Sequence, residues 1–401
     1  MTEISQTTPL SPVLTERLVT TGNQSAEEGF AGWPAPLTLL TALLRAEPMS
    51  GHEPGPALDE DSWAEFADLV IERHRIAPAI LGSLEAAGIK PPGSVLARLR
   101  SEARANAFMA LANKAETARL ILALADRNCD PVMLKGWPLA EELLGAAAER
   151  HSKDIDLYIA PDEIETCLDV LRGLGYEVCG EHQGRTALIG RRALSAECND
   201  LALWNEARQC QVEVHWRSNH FRGWPDLREV DGERRYWPLD DTGIRVRIPT
   251  GAAFLIYLAS HGQQHSWARL KWLHDIALIM RRRDGATLVA DLQAARPAGA
   301  GRAVATAVHL AHRVFGDPLP VDWPEPDWIA RRMLRRFASG IAADGAAPGR
   351  TRARFDFYWV GLVMAEGNAQ RLGVLRYAVW RGPRLFLSKL PLLGGRHGVT
   401  G

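Results

Sequence analysis

The chain has 401 residues, of which 46% are hydrophobic and 24% charged, so it is long enough for two or three domains and is neither wholly disordered nor collagen-like. Lysines and arginines number 47 and aspartates and glutamates 48, a formal net charge of −1, so no overall positive field points to a DNA partner. The five cysteines are odd in number, scattered and form no Cys-x-x-Cys pair, so neither a disulfide framework nor a zinc knuckle is indicated and a reducing, cytoplasmic location is favoured.

The first part of the chain divides into a polar segment and a helical region. Residues 1–35 lack the basic start and apolar stretch of a secretory signal and are predicted to be disordered. Residues 36–126 carry apolar side chains at helical spacing and form a predicted helical N-terminal domain. Ser62 and Glu65 are predicted to form a capping box, and Asn128 is predicted to end the last long helix in a left-handed conformation.

Residues 127–250 are predicted to form an α/β core, because short apolar segments suited to strands alternate there with segments of helical periodicity. The predicted strands are residues 130–136, 154–160, 176–180, 186–190, 200–205 and 210–217, and the predicted helices are residues 137–147 and 162–175. The last two strands are separated by a short turn, which predicts an antiparallel hairpin.

Residues 251–395 are predicted to form a helical C-terminal domain. No stretch reaches the ~18 apolar residues that a membrane-spanning helix needs. Segment 372–395 mixes large apolar residues with basic ones. Peripheral contact with an acidic membrane surface is one interpretation of this segment, but a packed terminal helix is favoured.

A pair of acidic residues stands in the predicted strand 154–160. Asp154 and Asp156 are two positions apart, so both side chains point to one face of a strand while Ile155 points to the other. A fixed pair of carboxylates suits a hard divalent cation such as Mg²⁺. An Asp-x-Asp pair is common, however, and two unrelated acids at a solvated strand end explain it equally well.

The predicted strand 210–217 places Glu213 and His215 on one face. If this strand lies beside the Asp154–Asp156 strand, three carboxylates could hold two metal ions ~3.5–4 Å apart, the arrangement for in-line phosphoryl transfer. His215 would then orient the site or act as a base; a hydrogen-bonded structural histidine is the alternative.

Lys135 and Gly136 stand between a predicted strand and the predicted helix 137–147. A strand, a glycine turn and a helix N-terminus form an anion site from backbone N–H groups and the helix dipole. Lys135 would add a positive charge for phosphate groups, and Arg150, four residues before Asp154, could add another.

His261 and His265 are spaced to lie on one face of a helix, where they could bind zinc. The zinc-protease motif needs a glutamate directly after the first histidine, and Gly262 excludes that chemistry. We expect a helix packed beside the active cleft with Lys271 nearby. For the two histidines, a role in the core is favoured over contact with substrate.

Several of these segments occur in an order that resembles a known family. The order is Leu134-Lys135-Gly136, Leu139, Arg150, Asp154-Ile155-Asp156-Leu157, Gly175-Tyr176, Glu213-Val214-His215-Trp216, His261, His265 and Trp272-Leu273-His274-Asp275. Over roughly residues 35 to 285, this combination resembles the uncharacterised bacterial nucleotidyltransferase-like family of the polymerase-β-type superfamily.

The resemblance implies an α+β fold: a polymerase-β-like nucleotidyltransferase core, which is a small mixed sheet with flanking helices, between N-terminal and C-terminal helical regions. It implies that Asp154, Asp156 and Glu213 are the catalytic carboxylates and bind Mg²⁺ or Mn²⁺. Lys135-Gly136 stands where the superfamily usually has Gly-Ser, which removes a hydroxyl that usually contacts the triphosphate.

The remaining candidate residues are assigned from the same resemblance. Lys135, Gly136 and Arg150 are assigned to nucleotide binding, and His215, His261, His265 and Lys271 to substrate contact or to orienting the site. The expected function is metal-dependent transfer of a nucleoside monophosphate from an NTP to an unidentified small-molecule, peptide or protein acceptor.

Two alternatives stay open. The first is a metal-dependent sugar-nucleotide glycosyltransferase or other tailoring transferase. Such glycosyltransferases also use Asp-x-Asp, but they usually need a preceding nucleotide-binding domain, whereas residues 36–126 have purely helical periodicity. A non-catalytic, antitoxin-like binding module is the second. The intact set of Asp154, Asp156 and Glu213 argues against it, because loss of function would release such costly clustered acids.

Overall fold

The computed structural model describes residues 32–45, 58–179, 198–225, 227–230, 235–239, 243–249, 251–343 and 350–387. They form a mixed α+β fold in which a seven-stranded mixed sheet is flanked by helices, as expected from the sequence. Most of the predicted disordered segment 1–35 and the whole predicted strand 186–190 lie outside the described residues.

The N-terminal region is helical, as its periodicity predicts. Its elements are α1 (Ala35–Leu43), α2 (Glu60–Asp68), a π-helical turn (Leu69–Arg73), α3 (Ala77–Ala86) and α4 (Gly93–Ala125). The predicted capping box of Ser62 and Glu65 is wrong, because the Asp59 carboxylate caps α2 by accepting the Ser62 N–H at 2.8 Å. Asn128 has φ 55°, which confirms the predicted left-handed conformation just beyond α4.

The sheet occupies the middle of the chain. Its strands are β1 (Val132–Met133), β2 (Asp154–Tyr158), β3 (Glu177–Val178), β4 (Asp200–Asn205), β5 (Cys210–His215), β6 (Arg235–Pro238) and β7 (Arg245–Ile248), in the order β3-β4-β5-β2-β1-β7-β6. The helices between them are α5 (Trp137–Leu144), a 3₁₀ turn (Ala147–Glu149), α6 (Ile164–Gly173) and α7 (Leu227–Val230). β4 and β5 form the predicted antiparallel hairpin.

β2 and β5 are parallel neighbours at the centre of the sheet, and their pairing sorts polar from apolar side chains. Ile155 and Leu157 on β2 lie beside Val212 and Val214 on β5, and all four are buried in a hydrophobic cluster on one face of the sheet. The alternate residues point to the opposite face, because side chains alternate along a strand. The polar residues of both strands therefore collect on one face.

The C-terminal region is again helical. Its elements are α8 (Gly251–Gln264), α9 (Leu270–Arg282), α10 (Gly285–Ala295), α11 (Gly301–Phe315), α12 (Trp328–Ala342), α13 (Arg350–Met364) and α14 (Asn368–Leu387). No helix in the described ranges combines the length and the apolar character needed to cross a membrane. In the segment 372–395, Val374 is buried and the ring of Tyr377 lies 5.6 Å from that of Phe221, so this part packs against the protein.

The N-terminal and C-terminal helices share one hydrophobic core. Hydrogen bonds join the two regions directly: the Arg281 guanidinium donates to the Leu44 carbonyl at 2.8 Å, and the Arg73 guanidinium donates to the Gly340 carbonyl at 2.9 Å. The division into domains at 36–126, 127–250 and 251–395 stays a prediction, but the two helical regions pack on each other as well as on the sheet.

A left-handed turn joins α8 to α9 and buries the ring of Trp267. Ser266 and Trp267 have φ values of 50° and 52°, and the Trp267 N–H donates to the Gly262 carbonyl at 2.8 Å. The indole is 1% exposed and lies directly against the Cα of Gly262, where any Cβ would overlap it. Glycine at position 262 is therefore a packing requirement of this turn.

The substitution Gly262→Ala is expected to destabilise the protein by about 1–3 kcal/mol, because the added methyl group must displace a buried indole. Gly82→Ala is the matched control. Gly82 lies within α3, and the space that an alanine methyl group would fill there is open, so alanine should be neutral or stabilising. Urea unfolding of both variants measures the difference, and equal stability of the two would contradict this account of Gly262.

Candidate active site

Carboxylates from two neighbouring strands meet on the polar face of the sheet. The parallel pairing of β2 with β5 sets Asp156 opposite Glu213 and Asp154 opposite Gln211. Asp154, Gln211 and Glu213 line a cleft of about 440 Å³, whereas Asp156 is fully buried. The adjacency on which the sequence hypothesis depended is therefore present.

Asp156 is the most heavily contacted of these carboxylates. Its Oδ1 atom lies 3.1 Å from Lys135 Nζ and 3.1 Å from His215 Nε2. Its Oδ2 atom is also buried but has no hydrogen-bond partner among the described residues. An unpartnered buried carboxylate oxygen is costly in a protein interior, and a bound cation would offset that cost.

The charges in this cluster shift one another's pKa values. Burial by itself raises the pKa of Asp156, but the Lys135 ammonium and the His215 hydrogen bond outweigh it and hold that pKa below its usual range. Burial, together with the charges of Asp156 and Asp154, raises the pKa of Glu213 to about 7. With that pKa, Glu213 is partly protonated near neutral pH, and a bound cation would favour its carboxylate form.

The donor atoms of three residues lie close enough to share a metal ion. Ligand atoms of Asp156, Glu213 and His215 all lie within 4.8 Å of one another, and His215 Nε2 is 3.7 Å from Glu213 Oε2. Asp154, predicted as a ligand from the sequence, lines the same cleft but does not belong to this closest group. Two of the three predicted carboxylates therefore lie in the cluster, together with His215.

The wall opposite the sheet is built by α8 and α9. His265 stacks on Trp272 with ring centroids 4.8 Å apart, and His261 meets the same indole edge-on at 5.3 Å. Tyr257 and Lys271 line this wall as well. The buried Tyr257 hydroxyl and His261 Nε2 have no hydrogen-bond partner among the described residues, so both can contact a ligand. The predicted helix beside the cleft is thus present, and both histidines line it.

Lys135 and Gly136 occupy the turn between β1 and α5, as the sequence indicates. Gly136 has φ 89°, a left-handed value that favours glycine, and immediately precedes Trp137, the first residue of α5. Burial lowers the pKa of Lys135, but the charge of Asp156 more than offsets this and raises it well above its usual value. The ammonium therefore stays charged, and its nearest anion is a side chain of the protein.

Arg150 is also held by the protein rather than exposed for a ligand. Its guanidinium forms two hydrogen bonds of 2.8 Å with the carboxylate of Asp275 on α9, and both side chains are buried. This bidentate pair attaches the segment before β2 to the C-terminal helices. Arg150 lines the cleft, but its charge is already neutralised.

Arg75 and Tyr257 are among the cleft residues that were missed in the sequence. Arg75 lines the cleft from the turn between the π-helical turn and α3, and Tyr257 lines it from α8. Both stand in segments whose periodicity indicates only helices, and neither belongs to a motif. The φ value of 51° at Arg75 is a backbone property that sequence periodicity does not reveal.

Asp275→Asn is expected to destabilise the protein by about 3–5 kcal/mol, because it leaves the buried Arg150 charge without a counterion. The double variant Arg150→Met/Asp275→Leu removes both charges and should recover most of that loss. Urea unfolding of the wild type, Arg150→Met, Asp275→Leu and the double variant closes the cycle and measures the coupling. Additive single losses would show that the pair does not act as a unit.

A comparison with family models matches residues 59–316 to a family described as an uncharacterised nucleotidyltransferase. The match covers more than half of the chain and includes the sheet, the acidic cluster and the α8–α9 wall. Comparisons with curated proteins and with solved structures found no match. The chain belongs to this uncharacterised nucleotidyltransferase family.

Proposed function

We propose that the protein is a Mg²⁺- or Mn²⁺-dependent nucleotidyltransferase with a polymerase-β-like core, which transfers a nucleoside monophosphate from an NTP to an acceptor. The observation that carries the proposal is the cluster of Asp156, Glu213 and His215, whose ligand atoms all lie within 4.8 Å of one another, together with the buried Asp156 Oδ2 atom, which lacks a partner among the described residues. Membership of the family supplies the reaction class. The acceptor is a small molecule, a peptide or a protein.

The donor chemistry of the cluster fits the proposed metal. Carboxylate oxygens are preferred by Mg²⁺ and Mn²⁺, and Asp156 and Glu213 provide them on adjacent strands. We propose that Asp154 completes the set of catalytic carboxylates, since it lines the same cleft. His215 hydrogen-bonds Asp156, which suits a role in orienting that carboxylate, although an imidazole donor is also acceptable to Mn²⁺.

The proposed reaction is an in-line displacement. The acceptor oxygen attacks the α-phosphorus of the NTP, a new O–P bond forms, the bond to the bridging oxygen breaks, and pyrophosphate leaves with the electron pair. Two bound metal ions would stabilise the charge on the attacking and leaving oxygens. The hydroxyl proton of the acceptor would pass to the Glu213 carboxylate or to solvent water.

The glycosyltransferase alternative has less support. It requires a nucleotide-binding domain of alternating strands and helices before the Asp-x-Asp strand. In the described residues 32–45 and 58–125, every regular element is a helix. A non-catalytic binding module would not bind NTPs in a metal-dependent way, so a measurement of that binding separates it from the proposed enzyme.

Calorimetric titration with ATP, GTP, CTP and UTP, with and without Mg²⁺, tests the proposal without knowledge of the acceptor. The wild type is expected to bind at least one NTP more tightly with Mg²⁺. Glu213→Gln should weaken that binding about tenfold or more, because it removes a metal-binding charge. The variant is expected to fold, since burial already disfavours the charged form of Glu213.

Glu165→Gln is the matched control. Glu165 is an exposed glutamate on α6 and does not line the cleft, so the variant should bind like the wild type. Thermal unfolding of both variants checks that they are folded. If the wild type binds none of the four NTPs, or if Glu213→Gln binds them as tightly as Glu165→Gln, the proposed metal-dependent site is wrong.

A further inference from the structure

The cationic side chains that line the cleft differ in the groups that they contact. They are Arg75, Lys135, Arg150, Lys153, Arg269 and Lys271. Lys135 pairs with Asp156, Arg150 pairs with Asp275, and Arg269 lies over the Trp272 ring at 5.6 Å. Within the described ranges, no carboxylate forms an ion pair with Arg75, Lys153 or Lys271.

We propose that Arg75 and Lys271 bind the β- and γ-phosphates of the nucleotide, a role that Lys135 and Arg150 cannot fill because carboxylates of the protein already hold them. This inference rests on the proposed nucleotidyltransferase function and assigns its polyphosphate subsite. The two residues come from the helical regions on either side of the sheet in the chain, one before α3 and the other in the first turn of α9. The exposed Lys153 lines the same cleft.

Arg75 is held in the cleft by a fixed turn. Its φ of 51° is left-handed, which costs conformational energy for any residue with a side chain. The neighbouring His74 is fully buried, and its Nδ1 atom accepts the Leu270 N–H at 3.2 Å. On the other side, the Ile76 N–H donates to the Val70 carbonyl at 3.0 Å. A strained turn that is secured at both ends is typical of a side chain placed for a ligand.

The hydrogen bond between Leu270 and His74 also brings the adjacent residues, Lys271 and Arg75, to the same part of the cleft. The Leu270 N–H that binds His74 belongs to the residue directly before Lys271. The pKa of His151, which lines the cleft, is lowered to about 3 by burial and then by the charges of Lys271 and Arg75. Both cations therefore act on the same part of the cleft, around His151.

The charges of Arg75 and Lys271 suit a polyanionic ligand. Burial, followed by the charges of Arg150 and Lys135, lowers the pKa of Lys271 to about 7, so its ammonium is disfavoured until an anion approaches. A guanidinium can bind two phosphate oxygens at once, and an ammonium adds a compact charge beside it.

The test uses inorganic tripolyphosphate and ATP as probes in calorimetric titrations, each with and without Mg²⁺. Arg75→Gln and Lys271→Met are each expected to weaken the binding of both probes about tenfold or more, because each loses a charged contact to phosphate. Arg100→Gln and Lys90→Met are matched controls, since both residues are exposed and lie outside the cleft. These controls should bind as the wild type does.

Lys271→Met removes a charge that burial disfavours, so its thermal unfolding temperature should not fall. If Arg75→Gln unfolds early, Arg75→Lys keeps the charge and should retain part of the tripolyphosphate affinity. Wild-type binding of tripolyphosphate without binding of any NTP would support the polyphosphate subsite and overturn the proposed function. Unchanged affinity in folded Arg75 and Lys271 variants, or no tripolyphosphate binding by the wild type, would overturn this inference.

Discussion

Asp156 carries a charge that is entirely removed from solvent, and the surrounding structure is arranged around the need to balance it. A buried carboxylate is tolerated only when cations or hydrogen-bond donors approach it closely. Lys135 supplies the ammonium from the end of β1, and His215 supplies a ring nitrogen from the end of β5. These two contacts attach β1 and β5, the neighbours of β2 in the sheet, to the same position along β2. Glu213 and Asp154 reach the cleft at that position.

Much of the fold could be predicted because it follows from short-range patterns. The alternation of Asp154, Ile155 and Asp156 indicated which side of β2 is polar, and the hairpin of β4 and β5 followed from two apolar segments with a short turn. Helical periodicity located the long helices on both sides of the sheet. The capping of α2 was predicted incorrectly because Asp59 and Ser62 are both good capping residues, and the choice between them depends on where the first turn begins.

The candidate site was predictable in its carboxylates but not in its cations. The pattern placed Lys135 and Arg150 near phosphate, and nothing local could show that Asp156 and Asp275 neutralise them. The partner of Arg150 stands 125 positions away, so this pairing depends on tertiary packing. Arg75 was missed for the same reason, since its approach to the cleft depends on the hydrogen bond between His74 and Leu270, which are 196 positions apart.

These long separations have a consequence for the order in which the protein is made. Synthesis runs from the N-terminus, so β1, β2, β4 and β5 can pair once residue 215 has emerged from the ribosome. At that stage Arg150 has no counterion and the α8–α9 wall does not exist. Only when residue 275 is available can the cleft close around its charges, and contacts at such separations form slowly.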